Sequence, residues 1–321
     1  MTDPHGRTID YLRISVTDRC NFRCTYCMPQ DGVPPKPHDE ILRFEEIADV
    51  VRAAVRLGIS RFRLTGGEPL VRAGIVDLVS MIASLPGVTD LAMSTNASLL
   101  EESARPLRDA GLRRVNISLD TLDEMKFRAI TRCGELASVL RGVDAALDAG
   151  LEPVKINVVT MRGVNEDELE RFARLTLDRP LHVRFIEHMR SNAPENVVQP
   201  EYVPGEEIKT RLTAAFGKLE PTDRPESSGP ATAYRLRDAA GTVGFISAIT
   251  APFCASCNRL RLSSDGRLVA CLFEGGEVDL RTLLRSNAGD DAIENAFTEA
   301  AALKPLRHSR SRAIPMSTLG G

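Results

Sequence analysis

The chain has no tryptophan, and aromatic residues make up only 5% of it. Proteins that grip single-stranded nucleic acid combine a basic groove with stacking aromatics. Neither is written here: 44 acidic residues face 41 basic ones, for a formal net charge of −3. Binding of nucleic acid through a general basic face is thereby set aside. Long apolar runs are missing as well, so no segment reads as a membrane span. Met1 to Asp10 is polar and lacks the apolar core of a signal peptide, which points to the cytoplasm. Lysine is scarce: of the 41 basic residues 6 are Lys and 35 are Arg. That bias is first a matter of composition. Arginine does bind phosphate bidentately, but each position has to make that case itself.

What the chain does have is seven cysteines, six of them in two groups of three. Cys20, Cys24 and Cys27 follow a Cys-x3-Cys-x2-Cys spacing; Cys254, Cys257 and Cys271 follow Cys-x2-Cys-x13-Cys. Cys133 stands alone and reads as a structural or incidental thiol. Disulfides are a poor default without a secretory signal. Thiolates bind zinc or iron–sulfur clusters. A structural zinc site is closed by four ligands, so a zinc reading would need His38 for the first triad and His308 for the second. A [4Fe–4S] cluster held by three cysteines instead keeps one iron open, and an open coordination position is where metal chemistry occurs.

The first two thirds of the chain alternate between strand and helix patterns. Strands are predicted at Tyr11–Val16, Arg61–Leu64, Asp90–Ser94, Arg114–Ser118, Pro153–Val159 and His182–Glu187. Helices are predicted at Phe44–Gly58, Ala73–Leu85, Leu99–Ala110, Glu135–Ala149 and Asn165–Leu177, the last with Asn165 as N-cap. The pattern argues for a parallel sheet with helical crossovers, open or barrel-like, with ligands at the carboxyl ends of its strands. Those ends carry the three-cysteine loop, Thr65-Gly-Gly-Glu-Pro69, Ser94-Thr-Asn96, Ser118-Leu-Asp120 and Glu187-His-Met189. Beyond Met189 the pattern changes. Residues 190–205 and 221–230 read as loops, Ala233–Ile249 as β structure around a turn, and Asp279–Arg285 and Asp291–Leu303 as helices.

The first triad, with Tyr26 beside its last cysteine and Thr65-Gly-Gly-Glu-Pro69 behind it, resembles the signature of the radical S-adenosylmethionine (SAM) enzymes. Both triads together resemble a narrower family, the GTP 3′,8-cyclases of molybdenum cofactor biosynthesis. The matching blocks run from Leu12 to Pro29, Arg63 to Pro69, Asn116 to Leu122, Val154 to Val159, Arg184 to Glu187 and Phe253 to Arg261, and end in Gly320-Gly321.

That resemblance implies an α/β fold: an incomplete (βα)6 TIM-like barrel over residues 1–220, with a C-terminal extension over 221–321 that carries a second cluster and closes the barrel mouth. It implies two [4Fe–4S] clusters, one on Cys20, Cys24 and Cys27 and one on Cys254, Cys257 and Cys271. SAM would contact Tyr26, Gly67, Ser118 and Met189. GTP would contact Arg13, Arg63, Ser94, Lys155, Arg259 and Arg261. A radical generated from SAM would take hydrogen from the ribose C3′ of GTP, and C3′ would then bond to guanine C8. Gly320 and Gly321 would reach the active site and be required, with Arg259 and Arg261, for the reaction. An electron donor, the next enzyme of the pathway (cyclic pyranopterin monophosphate synthase) and a homodimer are the implied partners. The alternative is another radical SAM enzyme with an auxiliary cluster, acting on a peptide or other substrate. One departure stands out: relatives more often have Gly where Ala97 stands, so a positive φ there would strain this chain.

Overall fold

A computed structural model describes residues 1–34, 36–189, 200–222, 229–286, 288–309 and 319. The predicted loop at 190–205 lies mostly outside these residues, as does the centre of the one at 221–230 and the Gly320-Gly321 tail.

Six strands alternate with helices: β1 (Tyr11–Ser15), α1 (Phe44–Arg56), β2 (Arg61–Thr65), α2 (Ile75–Ala83), β3 (Asp90–Thr95), α3 (Leu100–Asp109), β4 (Arg114–Ser118), α4 (Glu124–Thr131), α5 (Leu136–Asp148), β5 (Val154–Thr160), α6 (Leu169–Asp178) and β6 (Leu181–Glu187). Then come α7 (Gly205–Phe216), β7 (Glu220–Pro221), β8 (Thr232–Arg235), β9 (Thr242–Ile246), β10 (Arg259–Leu262), β11 (Arg267–Cys271), β12 (Gly275–Asp279), α8 (Leu280–Arg285) and α9 (Asp290–Ala302).

Among the described residues the twelve strands form one sheet, in the order β12-β11-β10-β1-β2-β3-β4-β5-β6-β9-β8-β7. The central six are parallel, as the helical crossovers require. The C-terminal part does not hang beside this sheet but prolongs it at both edges: β10 pairs parallel with β1, and β9 parallel with β6. The barrel and the extension thus share one hydrogen-bonded surface.

Side chains alternate across each strand, and here the polar set faces inward. In β1 and β2, Leu12, Ile14, Phe62 and Leu64 join the core beneath the helices, while Tyr11, Arg13, Arg61 and Arg63 line the interior. In β10, Leu260 and Leu262 join the core while Arg259 and Arg261 face in. The helices contribute Ile47, Val50, Val51, Leu78, Ile82, Leu107, Val139 and Phe172 to the same outer core.

One sequence expectation is corrected. Asn165 does not cap α6; that helix starts at Leu169, after a single 3₁₀ turn. Asn165 is buried, and its amide donates to the carbonyls of Asp120 (2.7 Å) and Val159 (2.8 Å) while accepting from Met161 N (2.8 Å). It closes the gap between the β4 and β5 loops. The reading also passed over α4, whose first turn is capped by Asp123, and the strands β10 to β12.

Candidate active site

A cavity of about 540 Å³ opens at the carboxyl ends of the parallel strands, within the size range of small-molecule sites. Cys20, Cys24 and Cys27 line it, and so do Cys254, Cys257 and Cys271. Tyr26, Gly67, Ser94, Ser118, Met189, Arg13, Arg63, Arg259 and Arg261 line it too. Lys155 is the expected residue that does not reach the lining; it is buried in β5, in the field of Arg63, Arg114 and Arg184, which do.

The first cysteine loop is held by close backbone packing. Gly67 N donates to Thr17 O (2.8 Å), and Glu68 N donates to Arg19 O (2.8 Å). A Cβ on Gly67 would sit 2.2 Å from Arg19 O, so only glycine lets the two loops meet. Glu68 ties the pair to the end of β3: its buried carboxylate accepts from Thr95 Oγ1 (2.7 Å), Asn96 N (2.6 Å) and Leu70 N (3.1 Å). Burial raises its pKa to about 7 in spite of these bonds. Asn96 continues the link by donating to Asn21 Oδ1 (2.8 Å), inside the cysteine loop. Tyr26 donates to Asp120 Oδ2 (2.6 Å), whose other oxygen accepts from Val159 N (2.8 Å). Burial pushes the Asp120 carboxyl up to about 6.

Register lines up the cations. Arg261, Arg13 and Arg63 are direct neighbours across β10, β1 and β2, and Arg259 lies level with Tyr11 one step below. Arg114 and Arg184 extend the band along β4 and β6. Arg114 is salted to Asp90, and Arg63 lies over the Tyr11 ring (5.4 Å) and faces Asn116, whose amide satisfies it when its oxygen is turned toward the guanidinium. Positive charge still exceeds negative. Burial and then Arg261 and Arg63 push Arg13 well below its ordinary value. Burial and Arg259 bring Arg261 to about 10; burial with Arg63 and Arg114 brings Arg184 to about 9. Lys155 falls to about 5, through burial and then Arg184, Arg114 and Arg63. Gathering like charges in a low-dielectric cavity is costly unless an anion enters. Such a band suits a polyanion, and bidentate arginines suit phosphate.

Sequence reading did not single out Arg114 and Arg184; alternation puts them on one face of their strands without saying which way that face turns. The roles of Glu68 and Asp120 also escaped it; they follow from loop packing, for which the sequence carries no spacing signal.

The two triads sit in different surroundings. Burial raises the first set of thiols, Cys20 to about 11, Cys27 to about 12 and Cys24 well above its ordinary value. Burial would raise Cys257 likewise, but Arg259 and Lys304 outweigh it and bring that thiol down to about 7. Among the described residues no three His, Cys, Asp or Glu side chains converge on a single ion. His308, the one candidate to complete zinc at the second triad, is stacked on Phe273 with centroids 4.2 Å apart. A donor set of three thiolates on the wall of a cavity fits a multi-iron cluster with one open corner.

Residues 14–176 match the Radical SAM superfamily, and residues 181–310 match Molybdenum Cofactor Synthesis C. A curated GTP 3′,8-cyclase of Pelotomaculum thermopropionicum is 51% identical, with 100% of each chain covered. That of Moorella thermoacetica is 48% identical, again over 100% of each. Among solved structures, SuiB of Streptococcus suis bound to S-adenosylmethionine aligns with a TM-score of 0.59 at 14% identity, over 91% of this chain and 68% of that one. SuiB bound to precursor peptide SuiA aligns with a TM-score of 0.57 at 14% identity, over 91% and 67%. At that identity the likeness to SuiB speaks for the fold.

Proposed function

The chain belongs to the radical SAM superfamily and, within it, to the GTP 3′,8-cyclases, and from that premise we propose how its residues divide the work. The enzyme converts GTP to 3′,8-cyclo-7,8-dihydro-GTP, the first step of molybdenum cofactor biosynthesis. Its superfamily brings a [4Fe–4S] cluster and SAM, which when bound supply a 5′-deoxyadenosyl radical that abstracts hydrogen.

Cys20, Cys24 and Cys27 hold that cluster, and Cys254, Cys257 and Cys271 hold a second one. Tyr26, fixed by Asp120, walls the adenosine side of SAM, with Gly67, Ser118 and Met189 completing its pocket. Arg13, Arg63, Arg259 and Arg261 grip the triphosphate, and Arg184 and Arg114 continue the same band. Lys155 lies behind the lining, where burial and the neighbouring arginines bring it to about 5, so it takes up charge only when a polyanion offsets that band. Ser94 offers a hydroxyl to the nucleotide. The register-matched arginines between two cysteine triads in one cavity are the observation that carries this reading. A peptide substrate would give that band no polyphosphate to neutralise.

Barrel residues 1–220 and extension residues 221–321 act as one unit through the shared sheet. The Gly320-Gly321 tail lies outside the described residues; its requirement rests on the family resemblance, as do the external electron donor, transfer of product to cyclic pyranopterin monophosphate synthase, the cytoplasmic setting and the homodimer. Removing both glycines is expected to abolish cyclisation with iron loading unchanged.

The test is an anaerobic incubation of reconstituted protein with SAM, dithionite and GTP, measuring 5′-deoxyadenosine and a GTP isomer of unchanged mass. Both forming together supports the assignment. 5′-Deoxyadenosine with GTP intact would overturn the substrate and leave the SAM site standing.

A further inference from the structure

The second triad is braced by two cations that belong to no cysteine motif. Lys304, just past α9, is buried. Its ammonium lies 3.6 Å from Cys257 Sγ and donates to the carbonyls of Arg259 (2.8 Å) and Ala270 (3.2 Å). Those carbonyls belong to β10 and to the residue before Cys271, so one side chain spans both arms of the triad. Arg7 completes the brace from the other end of the chain. It donates to Cys254 O (2.8 Å) and to Pro305 O (3.0 Å), next to Lys304. Arg7 is itself fixed by buried Asp3, with Nε 2.5 Å from Oδ2. His5 Nε2 lies 3.1 Å from Lys304 O, and the N-terminal turn is closed by the bridge between Thr2 and Thr8.

The first triad has a different partner. Cys20 Sγ accepts from the backbone N–H of Phe22 at 3.4 Å. A cluster's reduction potential is set by net charge, burial and hydrogen bonds to its sulfurs. A buried ammonium against a ligating sulfur supplies both charge and bond, and outer contacts of this kind tune metal centres.

We propose that Lys304 is a positioning residue for the second triad that raises the reduction potential of the cluster held there, and that Arg7 keeps Lys304 and Cys254 in place. This rests on the reading that Cys254, Cys257 and Cys271 hold a cluster. It makes the two clusters of one cavity unequal: the braced one is the easier to reduce. Neither residue is assigned a contact with GTP or SAM.

The test uses the full chain with Cys20, Cys24 and Cys27 changed to Ser, so that only the second triad can load. Iron per chain and the midpoint potential of the loaded protein, from an electron paramagnetic resonance titration, are compared with those of Lys304→Met and Lys304→Gln in the same background. The expected result is a cluster in all three, with a lower midpoint in both lysine variants; Gln covers the case in which Met fails to fold. Arg7→Met is expected to reduce iron loading. Equal midpoints with equal loading would overturn the proposal while the second cluster stands. Failure of the three-serine parent to load any cluster would overturn the reading beneath it, and the proposal with it.

Discussion

Ala97 shows how one methyl group can sit in the wrong half of backbone space and persist. Its φ is +61°, and the residue is fully buried. A non-glycine residue held in the left-handed region costs about 1–3 kcal/mol, while a buried methyl contributes about 0.8 kcal/mol. Ala97→Gly removes both terms and adds freedom to the unfolded chain. It is expected to keep full activity and to move the melting temperature by only a few degrees in either direction, as read by circular dichroism. Across the contact, a Cβ on Gly142 would fall 2.2 Å from Ala97 O, so the helix yields to the loop.

Glu68 is the residue whose loss should be felt most widely. A glutamine there keeps one acceptor oxygen and turns an amide toward a backbone N–H that now meets a carboxylate. Leaving such a buried donor unpaired costs about 1–3 kcal/mol, and Glu68→Gln should lower the denaturant midpoint accordingly. The pH dependence has a definite sign. Burial raises the folded pKa from 4.5 to about 7. The stability from this group is therefore complete below about 4.5 and is lost as pH rises through 7. Glu68→Gln should flatten the urea-stability profile across that window.

At the scale of the element, β1, β2 and β10 carry an arginine ladder whose side chains face one another. Arg13→Met is expected to raise the KM for GTP roughly 10–100-fold, the equivalent of losing charge-assisted bonds worth about 1.5–3 kcal/mol. An unchanged KM would contradict the electrostatic picture of the ladder. The ladder also marks what could be read from the chain. Tyr11-Leu-Arg-Ile-Ser and Arg61-Phe-Arg-Leu-Thr declare strands by alternation, and the central six were legible for that reason. Which face turns inward was not, because a period of two has no sign. The strand Arg259–Leu262 was not legible either; it is only four residues long, and its partner β1 lies at the other end of the chain. Both cysteine triads were legible in full, because spacing along one loop or hairpin is a local property. The Lys304 and Arg7 brace was invisible, since it joins residues almost 300 apart, as in the Arg7 contact with Pro305.

At the scale of the whole molecule, ligand binding should relieve a repulsion that folding builds in. Linkage gives about 2.7 kcal/mol at a ligand concentration 100 times Kd. For 321 residues and about 2.1 cal/mol/K of unfolding entropy per residue, that is a rise of roughly 4 °C in Tm. GTP should produce it in the loaded enzyme by differential scanning fluorimetry, and guanosine, lacking the triphosphate, should produce far less. Glu187 is the complementary structural joint. It ends β6, and its carboxylate accepts from Gly205 N (3.1 Å), Ile249 N (2.8 Å) and Thr250 N (2.9 Å), coupling α7 and the end of β9 to the barrel.

The sheet order has a consequence for how the protein is made. Its first strand leaves the ribosome early, but the strand that covers that edge, β10, follows near the end, as does β9 for the opposite edge. At about 5–20 residues per second, the β1 edge waits on the order of 12–49 s for β10, and the β6 edge roughly 3–11 s for β9. Such edges invite pairing with other chains. Newborn copies of this enzyme are therefore clients for chaperones until the last third of translation seals them, and a premature stop before β10 should send the product to inclusion bodies rather than leave a soluble, half-active barrel.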